Sequence, residues 1–194
     1  MCDGPISGSV VDGVEFSAQN GTIMSGIRFA FAALMCFALV PPAFAGHTLI
    51  TQEQRILTAW LSRSPHSRLA VDADCDCSED IRQMKAGSGG VWQPVPDYHP
   101  YIATGDFNGD GVPDFAVAVI DRAKAAHQFT ILVFNGPFDS DAVEPAFVAS
   151  GLDLRYMGLL FGPPRPKPYR LILGRFGTDN TSTLVPQGQT YKLR

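Results

Sequence analysis

Residues 104–115 read TGDFNGDGVPDF, and this stretch decides both the expected fold and the candidate site. Its oxygen-bearing side chains follow one another at short intervals: Asp106, Asn108, Asp110 and Asp114. A hard cation such as Ca²⁺ takes about six to eight oxygen ligands from a tightly curled loop. Gly111 can adopt the sharp bend that a residue with a β-carbon resists. The spacing therefore predicts a calcium loop, with the Val112 carbonyl as a backbone ligand. The alternative is a turn rich in Asp, Asn and Gly that binds no ion.

The flanks of this loop exclude an EF-hand and favour β-strands. An EF-hand has helices on both sides and a bidentate Glu at its twelfth position, where this chain has Val117. Upstream, residues 101–104 are a short stretch that contains aromatic and β-branched residues. Downstream, residues 115–120 form a continuous apolar run, which is typical of a strand buried on both faces. The loop is therefore predicted to lie in a β-hairpin that Asp114 closes.

A family resemblance rests on this loop. The residues GDFNGDG at 105–111, followed by DFAV at 114–117, resemble the calcium-loop half of an FG-GAP or VCBS-type repeat. In that family the DxNxDGxxD loop binds Ca²⁺ between two strands of a propeller blade, and the repeats occur in tandem in extracellular adhesion proteins. Here the loop occurs once, and residues 119–121 replace the family's Gly-Ala-Pro. The resemblance implies an exported calcium-binding module with a binding or adhesion role.

The N-terminal residues carry the pattern of an export signal. Arg28 supplies one positive charge, residues 29–40 are an unbroken apolar run, and residues 43–45 are the small-x-small pattern Ala-Phe-Ala. The run is too short to span a bilayer. We therefore predict a cleavable secretory signal peptide at 24–45, the alternative being an anchoring or core helix. Residues 1–23 precede it and are predicted to be a disordered, over-extended start. The protein is expected to be secreted or periplasmic, without a stable membrane anchor.

The composition suits one globular domain, which we place at residues 46–194. Hydrophobic residues make up 45% of the chain and charged residues 18%. The formal net charge of −4 gives no electrostatic reason to bind nucleic acid or an anionic membrane surface.

Two helices are predicted near the start of this domain. Residues 51–54 (Thr-Gln-Glu-Gln) suggest a capping box with Thr51 as the N-cap. An apolar stripe follows at helical spacing: Ile56, Leu57, Trp60 and Leu61. Such a stripe favours packing on a sheet, although it could also bind a partner. The second helix is predicted to begin at an N-cap, Ser78, and to end at Gly87.

A second acidic cluster lies before the second helix. Asp72, Asp74 and Asp76 alternate, so they could form a second cation site or complete the first one from across the fold. They could also be solvated surface acids, and the sequence leaves these alternatives open. Cys75 and Cys77 lie within this cluster, and in an oxidising compartment we expect them to form a local disulfide. Soft-metal binding by this pair alone would lack the remaining ligands.

The rest of the domain is rich in predicted strands. The candidates are residues 128–134, 146–148, 156–161, 169–173, 183–185 and 190–193. The Gly- and Pro-rich segment 87–100 carries aromatic side chains that could form a binding face or cover the core. The Pro-rich segment 162–168 is predicted to be a stiff, extended loop. The fold class is thus α+β: an antiparallel sheet of about five to seven strands with two N-terminal helices packed on it.

No sequence motif of an enzyme is present. The chain lacks a Gly-x-Ser-x-Gly elbow and a phosphate-binding loop, and its histidines are scattered at positions 47, 66, 99 and 127. We therefore expect a non-enzymatic, monomeric module that binds an unknown protein or glycan and carries a structural Ca²⁺. One alternative is a periplasmic inhibitor or immunity-type protein that plugs a partner enzyme with its loops. A second alternative is a calcium-dependent hydrolase.

Overall fold

The computed structural model describes residues 46–88, 93–124, 128–162 and 167–194. The predictions for residues 1–23 and for the signal peptide at 24–45 lie outside these ranges, as do Trp92 and residues 163–166 of the Pro-rich segment. None of the helices in the described ranges is long and apolar enough to cross a membrane.

The described residues form an α+β fold whose sheets are antiparallel, which confirms the predicted class. In chain order the helices and strands are α1 (Thr51–Arg63), β1 (Ser67–Leu69), α2 (Ser78–Ala86), β2 (Ile102–Gly105), β3 (Asp114–Asp121), β4 (Phe129–Phe134), β5 (Phe147–Leu152), β6 (Met157–Leu160), β7 (Leu171–Arg175), β8 (Thr181–Gln187) and β9 (Thr190–Leu193). Among these strands, β1 is the only one that was not predicted from the sequence. It has three residues, too few to show an alternating pattern.

The strands form two sheets, so the prediction of a single sheet is wrong. A five-stranded sheet has the order β1-β3-β4-β5, with β2 also paired to β3, and a four-stranded sheet has the order β6-β7-β8-β9. The pattern of a single strand shows that one of its faces is buried but not which sheet it joins. The sequence therefore indicated the strands without showing that β6 starts a second sheet.

Strand β3 is the centre of the first sheet. It pairs with β2 along its first half and with β1 along its last three residues, while β4 covers its other edge. Phe115, Val117 and Val119 pack in one hydrophobic cluster with Ile56 of α1. The residues between them, including Ala116 and Ala118, pack in a second cluster with the four-stranded sheet and α2. The apolar run at 115–120 is continuous because both faces of β3 are buried, as predicted.

The helix starts differ from the prediction by one residue. Helix α1 has Ile50 as its N-cap and Thr51 as its first helical residue. The carboxylate of Glu53, itself buried, accepts the Ile50 N–H at 2.9 Å, so that donor is satisfied without the Thr51 hydroxyl. Likewise Cys77, not Ser78, is the N-cap of α2. The predicted end at Gly87 is confirmed by its left-handed backbone, with φ at 64°.

Candidate metal centre between β2 and β3

The candidate ligands lie in or beside the segment that joins β2 to β3. Strands β2 and β3 are antiparallel, with Gly105 opposite Asp114, and residues 106–113 connect them. Gly109 and Gly111 both have left-handed backbones, with φ at 82° and 86°. These conformations allow the chain to curl within a few residues, which a side chain at either position would oppose.

Asp106 accepts hydrogen bonds from the loop's own backbone. Its Oδ1 accepts the N–H of Gly109 at 2.6 Å and that of Asp110 at 3.1 Å, and its Oδ2 accepts the N–H of Gly111 at 2.9 Å. The two donors to Oδ1 use both of its lone pairs, whereas Oδ2 has a second lone pair that its single contact leaves free. Asp106 therefore shapes the loop and keeps capacity for a cation.

Asn108 and Asp110 contact each other at the exposed tip of the loop. The Nδ2 of Asn108 donates to Asp110 Oδ2 at 2.9 Å, and the N–H of Asp110 donates to Asn108 Oδ1 at 2.9 Å. Asp110 Oδ1 also accepts the N–H of Val112 at 2.8 Å. Both side chains therefore face the loop backbone. That the Val112 carbonyl is a backbone ligand of the ion stays a prediction.

Asp114 is buried and joins the loop to other parts of the fold. Its side chain is 0% exposed. Its Oδ2 accepts the N–H of Phe107 at 2.8 Å, and its Oδ1 accepts the N–H of Gly136 at 3.0 Å. Burial raises the pKa of this carboxyl to about 6, although the amide donors act in the opposite direction.

Tyr191 of β9 brings the four-stranded sheet to the same point. Its hydroxyl lies 3.5 Å from Asp114 Oδ2 and donates to Asn135 Oδ1 at 2.7 Å. No sequence pattern indicated this contact, because Tyr191 is one of many aromatic strand residues and is remote from the loop in the chain. The structure thus adds Asn135, Gly136 and Tyr191 to the surroundings of the predicted ligand.

The donor set matches Ca²⁺ in chemistry, since hard cations prefer carboxylate, amide and carbonyl oxygens. In the described part of the chain, however, no three or more His, Cys, Asp or Glu side chains lie together so that they could hold a metal ion. The carboxylates of Asp106 and Asp114 are instead directed at nearby amides. A bound ion would have to draw these side chains towards one centre.

Asp72 and Asp74 of the second acidic cluster contact basic side chains. Asp74 pairs with Arg68 through two contacts of 2.6 Å, and this guanidinium holds the pKa of Asp74 below its usual value. Asp72 contacts His99 Nδ1 at 2.8 Å and Lys85 Nζ at 3.3 Å. His99 therefore lies against Asp72. The contacts favour ion pairing over a second cation site for these two acids.

Cys75 and Cys77 are joined in a disulfide, in agreement with the prediction. Both cysteines are buried, at 6% and 2% exposed, and lie in the cluster that includes Ile81 of α2. The bridge therefore fixes the segment that leads into α2.

Comparison of the chain with protein-family models, with curated proteins and with solved structures finds no match.

A pH dependence follows from the burial of Asp114. In the metal-free protein its folded pKa is about 6, against an ordinary value of 3.8. Between these values the folded state binds more protons than the unfolded state, so the free energy of unfolding falls as the pH rises. We expect the titration of Asp114 to lower the free energy of unfolding by about 2 kcal/mol between pH ~4 and ~6.5, with no further change above this range. Urea unfolding in EDTA across this range measures it.

The control for this experiment is Asp114→Asn, which cannot titrate. Subtracting its pH profile from that of the unchanged protein removes the contribution of every other group. The expectation is wrong if the two profiles run parallel between pH ~4 and ~6.5.

Proposed function

We propose that this chain is an exported calcium-binding module that resembles a single FG-GAP/VCBS repeat unit. The proposed Ca²⁺ ligands are the side chains of Asp106, Asn108, Asp110 and Asp114 and the carbonyl of Val112. The proposed role of the ion is structural. The module itself is proposed to bind a protein or glycan partner and not to catalyse a reaction.

The position of Asp114 is the observation that carries this proposal. An ionised carboxylate with no exposed surface is unfavourable unless something compensates its charge. Amide donors compensate in part, but its raised pKa indicates that they do not do so fully. A divalent cation shared with Asp106 and Asp110 would supply the missing positive charge, and it would also relieve repulsion among the three carboxylates.

A structural role is supported by the parts of the fold that Asp114 contacts. Through Gly136 it contacts the residues after β4, and through Tyr191 it contacts β9 of the other sheet. An ion that fixed Asp114 would therefore act on both sheets. Because the ion would bind only the folded chain, it would raise the free energy of unfolding by mass action.

Calcium titration of the purified protein, made by expressing the full chain, tests the proposal by calorimetry. We expect one ion per chain, with a dissociation constant on the order of 10⁻⁴ to 10⁻³ M, as in other extracellular modules. Asp110→Ala should weaken binding at least about tenfold, because it removes a charged ligand from an exposed loop without disturbing the core.

The matched control is Asp76→Ala, which removes an exposed acid from the second cluster. We expect it to leave both affinity and stoichiometry unchanged. Absence of calcium binding to the unchanged protein would contradict the proposal, and so would an equal loss of binding in the two variants.

A further inference from the structure

A cavity of ≈ 330 Å³ lies between α2 and the turn that joins β7 to β8. Its volume is within the range of small-molecule sites, roughly 300–1,000 Å³. It shares no residue with the β2–β3 loop, so its occupancy is a question separate from calcium binding.

The cavity has an apolar floor. Met84 of α2 is 5% exposed, and Leu160 and Phe176 are partly buried members of the same hydrophobic cluster. Gly174 of β7 also lines the cavity, and a methyl group there would meet the Leu160 side chain at 3.3 Å. The absence of a side chain at Gly174 thus helps to keep this space open.

The polar groups around the floor carry an excess of negative charge. Asp80 lines the cavity from the first turn of α2, and Asp179 lines it from the β7–β8 turn. Neither carboxylate forms an ion pair within the described ranges, whereas Asp72, Asp74 and Asp121 each do.

Among the described residues that line the cavity, Arg175 is the one cation. Its guanidinium lies over the ring of Tyr156, 5.7 Å from the ring centre, and Tyr156 does not line the cavity. The lining therefore includes two carboxylates and one guanidinium, and the guanidinium already has an aromatic partner. The described lining residues carry a formal charge of −1, from two aspartates and one arginine.

We propose that this cavity binds a small organic cation with a short apolar chain, an alkylammonium or an alkylguanidinium. Asp80 and Asp179 contact its charged head, and its alkyl chain packs on Met84, Leu160 and Phe176. A simple anion is disfavoured by the two carboxylates. A bare metal ion is disfavoured by the apolar floor, because hard cations need oxygen ligands on most sides.

Three probes of equal chain length test the proposal: n-butylammonium, n-butylguanidinium and the neutral butan-1-ol. Each is titrated into the full-chain protein, with NMR resonances of α2 and of residues 174–181 as the readout. We expect saturable shifts with one or both cations, and binding about fivefold weaker for the alcohol, since an ion pair is worth up to about 1 kcal/mol at a partly exposed site. The two cationic probes distinguish an ammonium site from a guanidinium site.

Asp80→Asn and Asp179→Asn should each weaken binding of the cation about two- to fivefold. Asp139→Asn is the matched control: it removes an exposed carboxylate that does not line the cavity and should leave binding unchanged. Repeating the titration on Asp110→Ala in EDTA separates this site from the calcium loop, because cation binding should persist there.

Three results would overturn the proposal. One is equal binding of butan-1-ol and the cations, which would indicate a site for neutral ligands. Another is unchanged cation binding in both Asp80→Asn and Asp179→Asn. The last is the absence of a saturable shift in the resonances of the lining residues with either cation. The titration should reach about 50 mM, a concentration well above the dissociation constant of a weak small-ligand site.

Discussion

Replacing Asp114 with alanine is expected to lower the free energy of unfolding of the metal-free protein by about 3 kcal/mol. The substitution leaves the N–H groups of Phe107 and Gly136 without their acceptor. Phe107 is fully buried, so water cannot readily replace the lost hydrogen bond there. Urea unfolding in EDTA at pH ~7 measures this loss, and the same variant should show no stabilisation by calcium.

Asp114→Asn distinguishes the hydrogen bonds from the charge. The amide keeps one acceptor oxygen and removes a buried carboxylate, so we expect a loss of only about 1 kcal/mol in EDTA. Calcium should nevertheless no longer raise the free energy of unfolding of this variant, because an amide is a weaker ligand than a carboxylate for a hard cation. If Asp114→Ala unfolds at the same urea concentration as the unchanged protein, the buried hydrogen bonds of Asp114 contribute nothing.

The second large effect is expected at Gly105, the last residue of β2. Its φ of 151° lies in a region that favours glycine, and a β-carbon there would overlap the ring of Phe161. Phe161 packs edge-to-face on Phe107, at 4.9 Å between ring centres, so its ring cannot move without loss of that contact. We expect Gly105→Ala to cost about 3 kcal/mol of unfolding free energy, from backbone strain and overpacking together.

Gly109→Ala is the matched control for Gly105→Ala. Gly109 also has a left-handed backbone, but no atom lies within 4 Å of the position of an added β-carbon. Gly109→Ala should therefore lower the free energy of unfolding by only about 1 kcal/mol. In the double variant Gly105→Ala/Phe161→Ala, removal of the ring should make the glycine substitution less costly. Equal losses in Gly105→Ala and Gly109→Ala would show that Phe161 does not restrict this position.

The features that the sequence predicted well depend on neighbours in the chain. The aromatic and β-branched residues before the loop, the apolar run after it and the turn residues around 106–114 indicate strands on both sides, because each signal acts within a few residues. The continuous run at 115–120 further indicated that β3 is covered on both faces. The position of residues 101–104 before the loop predicted β2, and in the structure β2 pairs with β3.

The features that the sequence did not predict depend on residues remote in the chain. Asp114 contacts Tyr191 across the two sheets, and no local pattern selects this tyrosine among the other aromatic residues. Similarly, Asp72 meets His99, which lies beyond α2. The alternation of the acidic residues around Asp72 left a second cation site open, because spacing alone does not reveal which positive side chain will fold against a carboxylate.

Thermal unfolding with and without calcium tests the central claim most directly. The protein from the full chain is melted in about 5 mM CaCl₂ and in EDTA, and the pair of melts is repeated on Asp110→Ala. We predict that calcium raises the free energy of unfolding of the unchanged protein by about 1–2 kcal/mol and its Tm by about 2–8 °C. Asp110→Ala should melt at nearly the same temperature in both solutions. An identical Tm for the unchanged protein in calcium and in EDTA would contradict the assignment of a calcium site to residues 106–114.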